Sequence, residues 1–175
     1  VIPARLESQR FPRKVLADAT GLPLIIHVAK QAARAGSIDQ VIIASDADEI
    51  LDAAREHGFE AARTRADHVN GTSRIAEVAE GLQCRCIVNV QADEPEIDPE
   101  VIDAAVEILE SRNDCQVGTI ATPMSPADDP ADPNLVKVVC DAQERALYFS
   151  RALIPHDRDS DRQTAPLRHV GLYVY

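Results

Sequence analysis

The chain has 175 residues, of which 45% are hydrophobic and 27% charged, and it carries a formal net charge of -11. This length predicts a single domain with a real core, and the acidic balance argues against a general nucleic-acid binder. No apolar run approaches the roughly 20 residues of a membrane span, and no signal-peptide pattern opens the chain. The four cysteines have no second ligand pair for a metal, so we expect buried, reduced thiols in a cytoplasmic protein.

Strands and helices alternate along the first 124 residues. Val1-Ile2 is predicted to be the end of an apolar strand. Further apolar runs predict strands at 40–44, 59–64, 86–91 and 117–124. Amphipathic segments predict helices at 23–35, 47–57, 72–80 and 99–111, the second of them capped by Ser45. This order predicts an α/β fold with a doubly wound, mostly parallel sheet covered by helices on both faces.

The pattern changes after residue 124. A Pro/Asp loop at 125–134 precedes two predicted strands, 135–141 and 145–150, joined by a turn at 142–143. A polar loop at 154–166, which we expect to be mobile and able to close over a ligand, leads to a last strand at 167–175. The single domain of residues 1–175 is therefore predicted to combine a nucleotide-binding core (1–124) with a β-rich part (125–175).

A cationic loop follows the first strand. Arg5, Arg10, Arg13 and Lys14 face one anion, Glu7, so the loop is locally positive in an acidic chain. Ligands of α/β sheets bind beyond the carboxyl ends of the strands, so this loop is placed to receive an anion such as a triphosphate. The alternative is a solvated basic loop with no ligand.

Two further segments carry polar residues at strand or helix ends. Asp93 follows the strand at 86–91, where a carboxylate can hold phosphate-bound Mg²⁺; alternatively Asp93 and Glu94 form an acidic turn capping the helix at 99. Arg74 is predicted in the first turn of a helix, where a cation opposes the helix dipole and hints at an anionic partner. Asp67 or Glu77 are the candidate partners within the protein.

The last strand carries a further candidate site. His169 and Tyr173 are four residues apart and share a face with Gly171, which leaves space between them. Together with Arg151 they are suited to bind a carboxylate and hydroxyl groups. The alternative is a half-exposed strand without a ligand.

Six segments of the chain resemble the 3-deoxy-manno-octulosonate (Kdo) cytidylyltransferases, also called CMP-Kdo synthetases. They are IPARLESQRFPRKVL, TRADHVNGTSRIAEV, VNVQADEPEI, DPNLVKVV, ALYFSRALIPHDRD and RHVGLYVY, in the order of the family. The resemblance implies a nucleotide-diphospho-sugar transferase fold, a homodimer, and a magnesium-dependent transfer of CMP from CTP to Kdo in lipopolysaccharide synthesis.

The resemblance also implies roles for particular residues. Those matching the CTP site are Ala4, Arg5, Arg10, Lys14, Arg74 and Gln91. Asp93 matches a Mg²⁺ ligand, and Arg10, Lys14 and Asp93 would carry catalysis. Those matching the residues that face the sugar acid are Arg151, His169 and Tyr173.

The chain departs from the family pattern in three ways. Arg13 stands where PGK has Gly, and Ala92 stands where QGDEP has Gly, which requires a negative φ there. Family members also continue past the last strand, where a second metal-binding Asp lies, so we expect a chain truncated at its C-terminus. The alternatives are another acceptor, such as sialic acid or amino-Kdo, or a non-catalytic nucleotide-binding module.

Overall fold

The computed structural model describes residues 1–7, 11–156 and 166–175. Arg10 and most of the polar loop at 154–166, with its predicted mobility, lie outside the described residues. The chain divides into two compact units: the first comprises 1–118 and 172–175, and the second comprises 119–171.

The first unit alternates short strands with helices. The strands are β1 (Ile2–Pro3), β2 (Ile42–Ser45), β3 (Glu60–Arg63) and β4 (Val88–Asn89). The helices are a 3-10 turn (Lys14–Leu16), α1 (Leu24–Ala32), α2 (Asp48–Glu56), α3 (Gly71–Ala79) and α4 (Pro99–Glu110). The predicted elements are therefore present, and most are shorter than predicted because the terminal turns and strand ends fray into loops.

A parallel sheet forms the centre of this unit. Its order is β1-β2-β3, with Ile2 opposite Ile43 and Ser45 opposite Arg63. The backbone of Val1 donates to Val88 O at 2.6 Å and accepts from Val90 N at 3.2 Å, which places β4 on the other side of β1. The carboxyl ends of β1 and β4 therefore lie side by side.

Burial in the core explains why the apolar runs form strands and helices. All four residues of β2 are buried, as expected for a strand covered on both faces, and α1 buries Ile25, Ile26 and Val28 completely. Burying each such side chain contributes about 1.5–3 kcal/mol. Gly58 ends the turn after α2 with a φ of +79°, a conformation that glycine adopts without strain.

The C-terminal region is β-rich, as predicted. Its strands are β5 (Gly118–Pro123), β6 (Lys137–Cys140), β7 (Ala146–Ser150) and β8 (Leu167–Val174). In the second unit β6 pairs antiparallel with β7 around the predicted turn, and also with the start of β8. In the first unit the end of β8 pairs antiparallel with β4, Val174 opposite Val88. The α/β fold with a parallel sheet and a β-rich C-terminal sheet is thus confirmed.

Two local predictions were wrong. Ser45 is the buried last residue of β2, and the N-cap of α2 is Ala47, whose backbone N–H donates to Ser45 Oγ at 3.2 Å. The four cysteines are free, as predicted, but Cys84 is exposed and the others are half-buried. Among the described residues, no helix combines the length and apolarity that crossing a membrane requires.

Candidate active site

The chain leaves β1 through a loop that folds back on itself. Ala4, which is buried, continues the β1–β2 pairing by donating to Ala44 O at 2.9 Å, and Arg5 is exposed. Arg13 N then donates to Leu6 O at 3.0 Å, which closes the loop before the 3-10 turn begins at Lys14. The loop therefore starts and returns at the carboxyl end of the sheet.

Lys14 and Asp93 meet at this edge. Lys14 Nζ donates to Asp93 Oδ2 at 3.1 Å, and both side chains are about half exposed, at 42% and 54%. The sequence predicted each group separately, 79 residues apart, and the neighbouring ends of β1 and β4 bring them together. A cation and a carboxylate are thus presented to solvent beside each other, as a metal–phosphate ligand requires.

Arg13 occupies a strained backbone position. Its φ of 59° lies in the left-handed region, which favours glycine, and this is the position where the family pattern has Gly. Its guanidinium binds the Glu49 carboxylate at the start of α2, and this hydrogen bond holds the pKa of Glu49 below its usual value. The extra cation is therefore already paired within the protein.

The segment after β4 is a tight turn. Glu94 N donates to Gln91 O at 3.3 Å. Ala92 does not have a positive φ, so an alanine fits at this position where the family pattern has glycine. The alternative of an acidic turn capping α4 was wrong. The N-cap is Asp98, whose side chain accepts from Glu100 N at 3.0 Å.

Arg74 lies in the first turns of α3 and is only 5% exposed. Its Nη1 donates to Thr64 Oγ1 at 2.5 Å, and its Nη2 lies 2.8 Å from Asp46 Oδ1. Neither of the two acids named from the sequence is its partner. The actual partner, Asp46, follows β2, so the pairing depends on the sheet order rather than on nearness along the chain.

A histidine that the sequence reasoning did not select lies beside α3. The His68 side chain is 4% exposed; its Nε2 bonds the Glu77 carboxylate, and its Nδ1 lies 3.2 Å from Ser73 Oγ. The hydrogen bond from His68 is the main reason that the pKa of Glu77 is lowered. Asn70 caps α3 through Ser73 N at 2.8 Å, so the whole entry to the helix is hydrogen-bonded.

In the second unit, Arg151 lies directly after β7 and is exposed. Its Nη1 donates to Pro133 O at 2.7 Å. His169 in β8 lies 2.9 Å from Thr119 Oγ1 and contacts Phe149 edge-on, with 5.0 Å between ring centroids. Burial lowers the pKa of His169, which favours the neutral imidazole.

Tyr173 belongs to the first unit. Its ring stacks on Tyr175, with 6.2 Å between centroids and an interplanar angle of 13°. Burial also raises the pKa of its phenol, so the hydroxyl stays protonated at neutral pH. A protonated phenol is a hydrogen-bond donor as well as an acceptor.

A cavity of about 580 Å³ lies at the other edge of the parallel sheet. Its walls come from the residues at the amino ends of β1, β2 and β4, among them Val1, Val41 and Cys86. None of the described candidate residues lines it. Because ligands of such sheets bind at the carboxyl ends, we assign the candidate site to the Lys14–Asp93 edge.

Open α/β sheets bind ligands, nucleotides among them, beyond the carboxyl ends of their strands, which is where this chain presents a cationic loop in contact with a carboxylate. The profile of the family described as Cytidylyltransferase matches residues 1–175. Two relatives, from Acidovorax sp. (strain JS42) and Acidovorax ebreus (strain TPSY), are named 3-deoxy-manno-octulosonate cytidylyltransferase. Each is 48% identical over an alignment of 192 residues, covering 100% of this chain and 73% of the relative.

Solved structures agree. A CMP:2-keto-3-deoxy-manno-octonic acid synthetase complexed with CTP matches with a TM-score of 0.93 and 36% identity, over 99% of this chain and 71% of that one. A cytidylyltransferase from Leptospira borgpetersenii serovar Hardjo-bovis (strain JB197) shares the fold, with a TM-score of 0.58 and 21% identity over 66% of this chain and 50% of that one. The chain therefore belongs to the cytidylyltransferases and, among them, to the 3-deoxy-manno-octulosonate cytidylyltransferase family; it is a nucleotidyltransferase.

Proposed function

We propose that this protein transfers CMP from CTP to Kdo with release of pyrophosphate, a step of lipopolysaccharide synthesis. The names of the relatives and the CTP complex of the similar structure support this substrate pair. The observation that carries the proposal is the contact between Lys14 Nζ and Asp93 Oδ2 at 3.1 Å. It joins the cationic loop to the carboxylate at the edge of the sheet where nucleotides bind.

The triphosphate would bind to the cationic loop. Arg5 and Lys14 present positive charge at the end of β1, and Arg10 of the same loop would add a third cation. Arginine offers planar bidentate donors to phosphate, and lysine offers a compact charge. Charge developing on the leaving pyrophosphate would be stabilised there, which is the main contribution expected in phosphoryl-type transfer.

The nucleoside would lie beside the same edge. Ala4 follows β1, Gln91 supplies an amide after β4, and Arg74 lies in the first turn of α3. An amide side chain both donates and accepts, which suits the edge of a cytosine ring.

The described residues can supply a magnesium ion with a single carboxylate ligand. They hold no cluster of three or more His, Cys, Asp or Glu side chains suited to a metal. However, Mg²⁺ keeps several waters and takes one or two carboxylates together with substrate phosphates. The exposed Asp93 carboxylate meets that need and would be the protein ligand. Bound there, Mg²⁺ would neutralise phosphate charge and acidify a nearby hydroxyl.

The acceptor would be held by residues of the β-rich region. Arg151 would bind the sugar carboxylate, and His169 and Tyr173 would contact its hydroxyl groups. The anomeric hydroxyl would attack the α-phosphorus directly, so that positioning is the main task of the protein. No protein nucleophile is required, and the cysteines have no part in this scheme.

We also infer a cytoplasmic homodimer that binds neither membrane nor nucleic acid. The edge strand β7 exposes three consecutive large side chains, Leu147, Tyr148 and Phe149, at 67%, 61% and 40%. An exposed apolar edge strand is a frequent site of self-association. Its position in the β-rich region supports assembly through this part of the chain. The functional division into a nucleotide-binding core (1–124) and a sugar-binding, dimerising part (125–175) is part of the same proposal.

The direct test is pyrophosphate release at fixed CTP and Mg²⁺ with a panel of acceptors: Kdo, an amino-Kdo and a sialic acid. We expect turnover with Kdo at the highest kcat/KM. Turnover only with another sugar acid would contradict the acceptor and retain the reaction class. Calorimetry with CTP tests the remaining alternative, because CTP binding without turnover on any acceptor would indicate a non-catalytic nucleotide-binding module.

A further inference from the structure

Lys137, the first residue of β6, is a buried cation that the scheme above does not use. Its side chain is 0% exposed, and Nζ donates to the carbonyl oxygens of Asp132, Leu135 and Arg151 at 2.9, 2.7 and 2.6 Å. An ammonium group has three N–H donors, and each has an acceptor here. Lys137 therefore has no donor left for a ligand, and its role must be exerted through the groups that it holds.

One of those groups is the backbone of Arg151. The guanidinium of Arg151 in turn donates to Pro133 O at 2.7 Å, and Pro133 lies between the other two residues that Lys137 holds. Both the backbone and the side chain of Arg151 are thus attached to the loop 132–135, with Lys137 at the centre of the contacts. A guanidinium has five N–H donors, and Pro133 takes one of them.

We propose that Lys137 is a positioning residue for acceptor recognition: it holds Arg151 where its guanidinium can bind the carboxylate of the sugar acid. This inference rests on the proposed function, in which Arg151 binds that carboxylate. Bidentate binding of a carboxylate depends on the orientation of the guanidinium, because both donors must be aligned at once. Removing Lys137 should therefore weaken acceptor binding, although Lys137 itself contacts neither the acceptor nor the nucleotide.

The test is a double-mutant cycle on the full chain, with KM for Kdo and for CTP measured at each corner. Lys137→Met keeps an unbranched side chain one atom shorter and removes its donors, and Arg151→Ala removes the guanidinium. We expect each single variant to raise KM for Kdo about tenfold or more, since small misplacements have effects of this size. KM for CTP stays unchanged in both, and Lys137→Met adds nothing in the Arg151→Ala background.

Other results distinguish a failure of the positioning role of Lys137 from a failure of the carboxylate-binding role of Arg151. Equal effects of Lys137→Met with and without Arg151 would overturn the positioning role, and so would an unchanged KM for Kdo. An unchanged KM for Kdo in Arg151→Ala alone would refute the carboxylate-binding role in the proposed function, and the positioning role with it. If Lys137→Met does not fold, Lys137→Arg, which keeps the charge but alters the donor geometry, must raise KM for Kdo selectively. Lys30→Met, on the exposed part of α1, is the matched control.

Discussion

Among the residues that the structure describes, each unit contains one buried cation, and the two are satisfied in different ways. Arg74 in the first unit faces a carboxylate and a hydroxyl, those of Asp46 and Thr64. Lys137 in the second unit donates all three of its N–H groups to backbone carbonyl oxygens. Only two of the five donors of an arginine are accounted for by these partners, whereas the lysine has used all three. The comparison contrasts a cation paired with side chains in one unit and a cation that organises backbone in the other.

The largest effect on stability is expected at Lys137. Lys137→Met removes the donor from the part-buried carbonyl groups of Leu135 and Arg151, whereas Asp132 O keeps the N–H of Leu135 at 3.2 Å. An unsatisfied buried group costs about 1–3 kcal/mol. We expect the free energy of unfolding to fall by about 3–5 kcal/mol, measured by urea denaturation. Lys30→Met, at an exposed position, should change it by less than about 0.5 kcal/mol. Equal stability of the two variants would show that the carbonyl cluster contributes little.

Arg74 should affect both stability and the nucleotide. Arg74→Met leaves Asp46 with a half-buried, uncompensated charge, and we expect a loss of about 2 kcal/mol in the free energy of unfolding. KM for CTP should rise about tenfold or more, whereas Lys137→Met leaves it unchanged. Adding Asp46→Asn to Arg74→Met should restore part of the stability but not the affinity for CTP. Recovery of both would reduce Arg74 to a structural role.

A smaller effect is expected at the exposed cation Arg13. Arg13→Gly relieves a left-handed backbone conformation worth about 1–2 kcal/mol but removes the exposed ion pair with Glu49, which solvent screens. Glycine also makes the unfolded chain more flexible, so we expect a net change within about 0.5 kcal/mol of zero or slightly stabilising. Because this cation is already paired, KM for CTP should not rise. A clear loss of CTP affinity would assign Arg13 to the phosphate site.

The smallest effect concerns the pH dependence of the α3 entry. The pKa of Glu77 is lowered mainly by the hydrogen bond from His68, so the unfolded state binds its proton more readily than the folded state. The resulting stabilisation is present above pH 4.5 and is lost as the pH falls through the lower folded pKa. Glu77→Gln should therefore flatten the acid side of the stability–pH curve. An unchanged curve would show that this contact does not contribute.

Much of this molecule can be predicted from the sequence, and the remainder has identifiable causes. Apolar runs and helix ends predict the alternating elements, because burial and capping are local properties of the chain. The partner of Arg74 could not be predicted, since Asp46 becomes its neighbour only through the order of β2 and β3. The Lys137 cluster was missed for a related reason: its acceptors are backbone carbonyl groups, which carry no signal in the side-chain pattern.

The candidate site could be predicted in part from the sequence. The cationic loop and the carboxylate after β4 were each predicted from their place at a strand end, and the structure adds that Lys14 and Asp93 are in contact. The two residues that replace glycines of the family pattern also behave differently. Arg13 adopts the left-handed conformation of a glycine and is strained, whereas Ala92 has no positive φ. The conformational requirement therefore lies at only one of the two positions.

The central claim is that the Lys14–Asp93 edge carries out CMP transfer. The most direct measurement is the rate of pyrophosphate release from CTP and Kdo by the unmodified chain, by Asp93→Asn, and by Glu96→Gln as an exposed control three residues away. We predict that Asp93→Asn lowers kcat by about 100-fold or more, with little change in the free energy of unfolding, and that Glu96→Gln keeps the original rate. A rate for Asp93→Asn equal to that of the unmodified chain would contradict the account.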